Sequence, residues 1–148
     1  MAKPKVGIII GSQSDLPIIE KTTSALIDFG IDYELTIASA HRTPPQVEKF
    51  AKNAEKNYDV IIAGAGMAAA LPGMVAAHTI IPVIGLPISS KALSGHDALF
   101  SIVQMPSGVP VACVAIDGAK NAAILAVQIL ALKYPNLKNK LKEFKRKK

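Results

Sequence analysis

His41 and Arg42 stand side by side in the stretch ASAHRTPP, residues 38–45, between an apolar run and a double proline. A guanidinium is a planar fork that matches a phosphate through parallel hydrogen bonds and keeps its charge at any physiological pH. An imidazole exchanges a proton near neutrality. The pair therefore combines an anion anchor with a candidate acid-base, and Ser39 adds a hydroxyl beside them. A second stretch, GSQSD from Gly11 to Asp15, offers Ser12 and Ser14 as donors after a glycine that lets the backbone approach a ligand. The helix expected to follow would point free N–H groups and a partial positive charge at the same place. Taken alone, Ser12 and Ser14 are equally accounted for as capping and turn residues. Asp15 sharpens the case: a carboxylate repels phosphate but accepts hydrogen bonds from two neighbouring sugar hydroxyls. Phosphate plus ribose describes a nucleotide.

The other reactive residue types have poorer company. His78 falls within AAHTI on an expected helix and His96 opens a helix in SGHDAL, so surface or capping roles suit both. Cys113, the one cysteine, lies in the apolar run VPVACVAI and reads as a buried, inert thiol. In GAGMAAALPG, residues 64–73, Gly64, Gly66 and Ala69 match G-x-G-x-x-A, the dinucleotide fingerprint. That fingerprint wants an acid about 20 residues later for the ribose, yet no Asp or Glu occurs between Asp59 and Asp97. Small residues there would instead let the backbone close over a flat, uncharged ring. No metal-ligand spacing, GxSxG elbow or P-loop occurs in the chain.

Something must bring these loops together, and the hydrophobic pattern says what. Short β-branched runs, KVGIII, DYELTI, DVIIA, IPVIGL and PVACVAI, alternate with helical spacings. Five βα units predict a three-layer, flavodoxin-like, doubly wound parallel sheet of about five strands, in which ligands bind beyond the strands' carboxyl ends. KVGIII, DVIIA and PVACVAI, apolar on both faces, are expected mid-sheet. The first helix is expected to be capped by Ser14 or Asp15, to carry Pro17 in its first turn and to end at Gly30. The second opens at Thr43 with Pro44, the third spans about 67–79, and AKNAAILAVQILALKY, 119–134, is apolar nearly all round and is expected to pack on a neighbouring subunit as well as its own.

With 148 residues, 50% of them hydrophobic and 19% charged, the chain is expected to form one domain, 1–148, with a single core. The net charge of +6 is local, because eight Lys and Arg lie from Lys133 onward against Glu143 alone. Leu137, Leu141 and Phe144 fall at helical spacing within that run, so a basic C-terminal helix at about 136–148, packed by one stripe, is expected. No aromatic residues interleave with the lysines as nucleobase-stacking platforms, so polyanion binding is the weaker rival. MAKPK runs into VGIII without a signal-peptide pattern, and no apolar stretch reaches the roughly 20 residues that span a bilayer. A cytoplasmic protein, bound to neither membrane nor nucleic acid, is expected.

GSQSD, SAHRTP, AGAG followed by LPGM, SGHDALFSIVQMPSGVPV and GAKNAA, in that order, resemble the N5-carboxyaminoimidazole ribonucleotide mutase family of purine biosynthesis, over roughly residues 5–134. The resemblance implies a ribonucleotide substrate, no metal or organic cofactor, and a homo-octamer whose sites lie at subunit contacts. It assigns His41 as general acid-base, Ser12, Ser14 and Asp15 to the substrate, Ser39 and Arg42 to its phosphate, and Gly66 and Leu71 to the closing loop. A related class, the carboxylases that use free CO2, usually resembles SAHKT, so Arg42 favours the mutase. Where the commoner loop reads GAGGAAHLPG, this chain has Met67 and Ala70.

Overall fold

The computed structural model describes residues 2–148. Its five strands are β1 (Lys5–Ile10), β2 (Asp32–Ile37), β3 (Val60–Gly66), β4 (Val83–Ile88) and β5 (Ala112–Cys113). They form one sheet in the order β2-β1-β3-β4-β5, parallel at every pairing. Period-2 alternation along the strands divides the apolar residues between two layers. Val6, Ile8, Ile10, Val60, Ile62, Ile84 and Leu86 meet helices α1 (Leu16–Asp28), α5 (Ala119–Leu130) and α6 (Asn136–Arg146). Ile9, Ile61, Ala63 and Val83 meet α2 (Pro44–Asn57), α3 (Leu71–Ala77) and α4 (His96–Val103) on the other face. The three-layer doubly wound fold expected from the βα alternation is the one observed.

The interior positions are filled differently from expectation. KVGIII and DVIIA are central, but the third interior strand is IPVIGL, every residue of β4 being buried. PVACVAI supplies only Ala112 and Cys113, at the edge. Pro110 has no N–H to give a ladder, and an edge run pressed between helices of both layers is apolar on both sides without being central. Val111 and Cys113 pack with one layer and Val114 with the other, while Ala112 stays exposed.

Helix ends shift in the same physical terms. Ser12, not Ser14 or Asp15, is the side-chain cap: its Oγ accepts the Ser14 N–H, and a short 3-10 turn, Gln13–Asp15, precedes α1. Gly30 follows α1 as expected, with φ +72° and Ile31 N–H donating back to Leu26 O. The third helix begins at Leu71 rather than 67, Pro72 falling in its first turn where a missing N–H costs nothing. α5 stops at Leu130, and within one chain α1, α6 and the sheet already bury Ala122, Ala123, Ala126, Val127 and Leu130. α6 docks as predicted, with Leu137 buried and the Phe144 ring 5.5 Å from Phe29.

Candidate functional site

The carboxyl ends of the strands open onto a cavity of about 550 Å³, the size that holds a nucleotide-scale ligand. All eight residues predicted for the site line it: Ser12, Ser14 and Asp15 after β1, Ser39, His41 and Arg42 after β2, and Gly66 and Leu71 at the end of β3 and the start of α3. A smaller cavity of about 310 Å³ between α1, α5 and α6 lies away from the strand ends. Its Lys140 is committed to Phe29 O at 2.8 Å, so it is a helix-packing groove.

The hydroxyls are arranged as donors. Ser12 Oγ accepts from Ser14 N–H at 3.2 Å and from Ser14 Oγ at 3.0 Å. Ser39 Oγ accepts from Arg42 N–H at 3.1 Å. Each oxygen is thus filled from the protein side and leaves its proton to give to an anion. Thr43, expected to cap α2, makes no capping bond and instead accepts the Ser39 N–H at 2.9 Å. The loop that carries His41 and Arg42 is closed upon itself before the helix begins. Both side chains are exposed at the cavity rim, and among the described residues His41 makes no hydrogen bond, which leaves its ring nitrogens open to a ligand. His78 and His96, by contrast, each engage a backbone carbonyl through Nδ1, Met74 O and Leu93 O.

Asp15 is 8% exposed. Burial pushes its carboxyl above the usual range, and the backbone amides of Ser12 and Gly11 pull it part of the way back. The cost of keeping that charge in place is relieved when a ligand's hydroxyls donate to it. The floor is small and apolar: Ala65, Ala69 and Ile88 are buried there. Gly66 belongs to β3 itself, and a Cβ on it would stand 3.1 Å from Ile88 O. Gly64 is also within the strand, its missing Cβ matched by Ile88 Cδ1 at 3.2 Å and Ile10 Cγ2 at 3.4 Å. The G-x-G-x-x-A match is therefore close strand packing and not a phosphate turn, and the dinucleotide rival loses its structural context. Met67, where the commoner loop has Gly, adopts φ +55° and is 66% exposed.

Ile88, the last residue of β4, and Ser89 and Ser90 after it complete the cavity wall and were not among the predicted residues. The rule that ligands sit beyond strand ends applies to them equally, but two serines ahead of Lys91, with no glycine, histidine or carboxylate beside them, give little local signal. Burial raises the Cys113 thiol above its usual range, and its Sγ–H reaches only Val114 O, as suits an inert residue. Among the described residues no three His, Cys, Asp or Glu side chains lie close enough to share a metal ion.

Comparison with known proteins adds an independent line. The chain is 60% identical over 143 residues to the N5-carboxyaminoimidazole ribonucleotide mutase of Pyrococcus abyssi, covering 96% of this chain and 82% of that one. It is 61% identical to the protein of the same name from Thermotoga maritima, over 96% and 84% of the two chains. The Phosphoribosylaminoimidazole carboxylase of Saccharomyces cerevisiae is 53% identical over 97% of this chain but only 25% of its own length. The crystal structure of Treponema denticola PurE superposes with a TM-score of 0.89 at 35% identity, over 98% of this chain and 91% of that one. The family profile described as AIR carboxylase matches residues 5–148, and the chain belongs to that family.

Proposed function

We propose that this protein is an N5-carboxyaminoimidazole ribonucleotide mutase, moving a carboxyl group from the exocyclic N5 of its substrate to ring carbon C4 in purine biosynthesis. The observation that carries this reading is the convergence of an unengaged imidazole, His41, and a guanidinium, Arg42, on one cavity with Asp15 and two donor serines. Relatives at about 60% identity bear the mutase name. Arg42 and Ser39 hold the phosphate, Ser12 and Ser14 assist, and Asp15 accepts from the ribose hydroxyls. The closing loop at Gly66 and Leu71 covers the base.

The chemistry needs one proton and one base. The N5–C bond of the carbamate breaks, its electron pair returns to N5, and N5 takes a proton from the His41 imidazolium as CO2 is released into the cavity. C4 of the resulting aminoimidazole, the nucleophilic carbon of an enamine, attacks the CO2 carbon with its π electrons and becomes carboxylated. His41, now neutral, removes the C4 hydrogen as a proton, which restores aromaticity and regenerates the imidazolium. A confined CO2 beside C4 is recaptured in preference to escaping, an effective-concentration gain.

Conversion of the N5-carboxylated ribonucleotide, followed by loss of its C4–H proton resonance without ATP or bicarbonate, tests the proposal. His41→Asn keeps size and removes basicity, so turnover is lost while product binding persists; near-normal turnover by that variant rejects the assignment. The name of the yeast relative supports a second reading, carboxylation of the unsubstituted aminoimidazole by free CO2. Turnover only with that substrate and bicarbonate selects it.

We further infer that the enzyme works in the cytoplasm as a homo-oligomer, an octamer by family resemblance. Phe100 and Val103 on α4 and Leu93 before it leave 60%, 44% and 58% of their surfaces exposed, beside the short β5 edge. Native mass spectrometry that finds only monomers at micromolar concentration overturns the oligomer.

A further inference from the structure

Nine of the ten glycines are explained from inside the chain. Gly30, Gly95 and Gly108 have left-handed backbones, with φ of +72°, +90° and +98°. At Gly7, Gly64, Gly66, Gly73, Gly85 and Gly118 a Cβ would come within 3.2 Å of another protein atom. Gly11 is the exception. Its φ lies outside the left-handed region, and a Cβ built on it meets no atom of the described residues within 4 Å. Yet Gly11 borders the cavity of about 550 Å³ and, having no side chain, does so with its backbone alone. Alanine would fit the fold there and would leave the unfolded chain less freedom to lose. Glycine at this place carries an entropic cost that no contact within the protein explains.

The strand order says what comes to rest there. Gly11 follows β1, which lies between β2 and β3: Ile10 pairs with Ile37 on one side and with Gly64 on the other. Ser39 and Arg42 follow the end of β2, whereas Gly66 and the closing loop stand at the end of β3. A nucleotide with its phosphate at Arg42 and its ring beside Gly66 has to cross the end of β1, and the part of it between phosphate and ring is the sugar. Asp15 supports the same placement. The Ser12 and Gly11 amides favour the charged form of its buried carboxylate, so Gly11 adjoins the group assigned to the ribose hydroxyls. We propose that Gly11 is a ligand-contact residue whose bare Cα forms the bed of the ribose, the space a Cβ would fill being the space the sugar takes. This rests on the mutase reading of the same cavity, which supplies the phosphate and ring positions. A Cβ has no rotamer and could not swing aside for the ligand, so glycine at this position decides whether the sugar can lie on the main chain.

Gly11→Ala and Gly11→Val test this, each with a melting curve and with binding of inorganic phosphate, ribose 5-phosphate and the product ribonucleotide. Gly11→Ala melts at or above the temperature of the unaltered enzyme. It binds ribose 5-phosphate and the product roughly tenfold more weakly, as forcing a methyl group into a filled contact does. Gly11→Val, bulkier at the same point, binds both more weakly still. Inorganic phosphate, titrated by phosphorus NMR, binds the unaltered protein and both variants alike, because Arg42 and Ser39 are untouched. A lower melting temperature in Gly11→Ala overturns the proposal, because the need for glycine then lies inside the fold. Unchanged affinity of that variant for ribose 5-phosphate overturns it too, as does an equal loss for phosphate, which puts the Cβ at the anchor and not at the sugar. Failure of the unaltered enzyme to bind ribose 5-phosphate has the same force. These outcomes are readable even if Gly11→Val fails to fold. If the unaltered enzyme does not turn over the N5-carboxylated ribonucleotide, the mutase reading fails, while ribose 5-phosphate still tests Gly11 by itself.

Discussion

Ser39 and Thr43 bind each other from both directions: Ser39 N–H donates to Thr43 Oγ1 at 2.9 Å, and Thr43 N–H donates to Ser39 O at 2.9 Å. Between them sit Ala40, His41 and Arg42, the segment that presents the imidazole and the guanidinium. Arg42 N–H closes a third bond onto Ser39 Oγ at 3.1 Å, so two exposed, functional side chains stand on a backbone with little freedom of its own. Their precision comes from a ring of local hydrogen bonds, at a place where no core packing is available.

Thr43→Val keeps the shape of that side chain and removes its oxygen. The Ser39 N–H is then left without its partner, at a cost of about 1–3 kcal/mol in stability. The loosened rim lowers kcat/KM by roughly tenfold, since misplacing catalytic groups by even an ångström is costly. Thr43→Ser retains the hydroxyl and restores both. Urea denaturation and steady-state kinetics on the pair check this, and wild-type kcat/KM in Thr43→Val removes the ring from the account.

Asp15 and Asp59 titrate in opposite directions and so respond oppositely to substitution. Burial holds Asp15 above the usual carboxylate value of 3.8. The folded state therefore binds more protons than the unfolded state as pH rises past 3.8, and stability falls over that window. Asp15→Asn raises the melting temperature at pH 7, the gain vanishing below 3.8, while it weakens substrate binding by roughly 10–100-fold through loss of a charged acceptor. Asp59 is also raised by burial, but hydrogen bonds from Lys133, Tyr134 and the Lys5 amide outweigh this and leave it below 3.8. Its contribution is fully present above 3.8 and disappears as pH falls through the lower folded value. Asp59→Asn is destabilised at pH 7 and catches up with the unaltered protein in acid. Thermal melts of both variants from pH 2 to pH 7, a range of roughly five units chosen to bracket carboxylate titration, distinguish the signs.

Much of this was legible in the residues, for reasons that differ by position. Ser12, Asp15, His41 and Arg42 announce themselves because each loop follows a strand whose apolar run ends abruptly, and strand ends converge in a parallel sheet. The place of PVACVAI was not legible, because burial between two helix layers and burial between two strands leave the same apolar record. Gly64 and Gly66 match the dinucleotide fingerprint, since a regular expression does not distinguish a glycine in a strand from one in a loop, and only the missing acid weakened that match. Asp117, whose carboxylate accepts the N–H of the wall residue Ser89 at 2.9 Å, was invisible for a third reason. Its partner Ser89 lies 28 residues away, and only the register of β4 against the chain after β5 brings them together.

Met67 takes φ +55° with its side chain 66% exposed, so it bears the strain of a left-handed backbone with little packing in return. A left-handed non-glycine residue costs about 1–2 kcal/mol. Glycine removes that strain but adds about 0.4–1 kcal/mol of unfolded-state entropy. Met67→Gly is therefore stabilised by about 0.5–1 kcal/mol, the difference of those two terms. Met67→Ala, which has a Cβ in the same conformation, gains nothing. Equal stabilities for the Gly and Ala variants by chemical denaturation contradict this account.

The basic tail poses a choice between a docked helix and a polyanion-binding arm, and its two faces separate them. Leu137 is 1% exposed, the Phe144 ring packs tilted at 5.5 Å from Phe29, and Lys140 Nζ donates to Phe29 O at 2.8 Å, satisfying a carbonyl at the end of α1. Lys142 and Lys145 lie on the exposed face. If the tail serves the core, Leu137→Ala costs about 2–5 kcal/mol, as a large-to-small change in a packed site does. Lys142→Gln/Lys145→Gln then changes stability by no more than about 0.5 kcal/mol and leaves turnover and elution from a DNA column as before. Removing two cations from a polyanion-binding arm would instead shift the salt at which the protein leaves that column, because each phosphate contact releases a counterion. The docked geometry of Leu137 and Lys140 predicts no such shift.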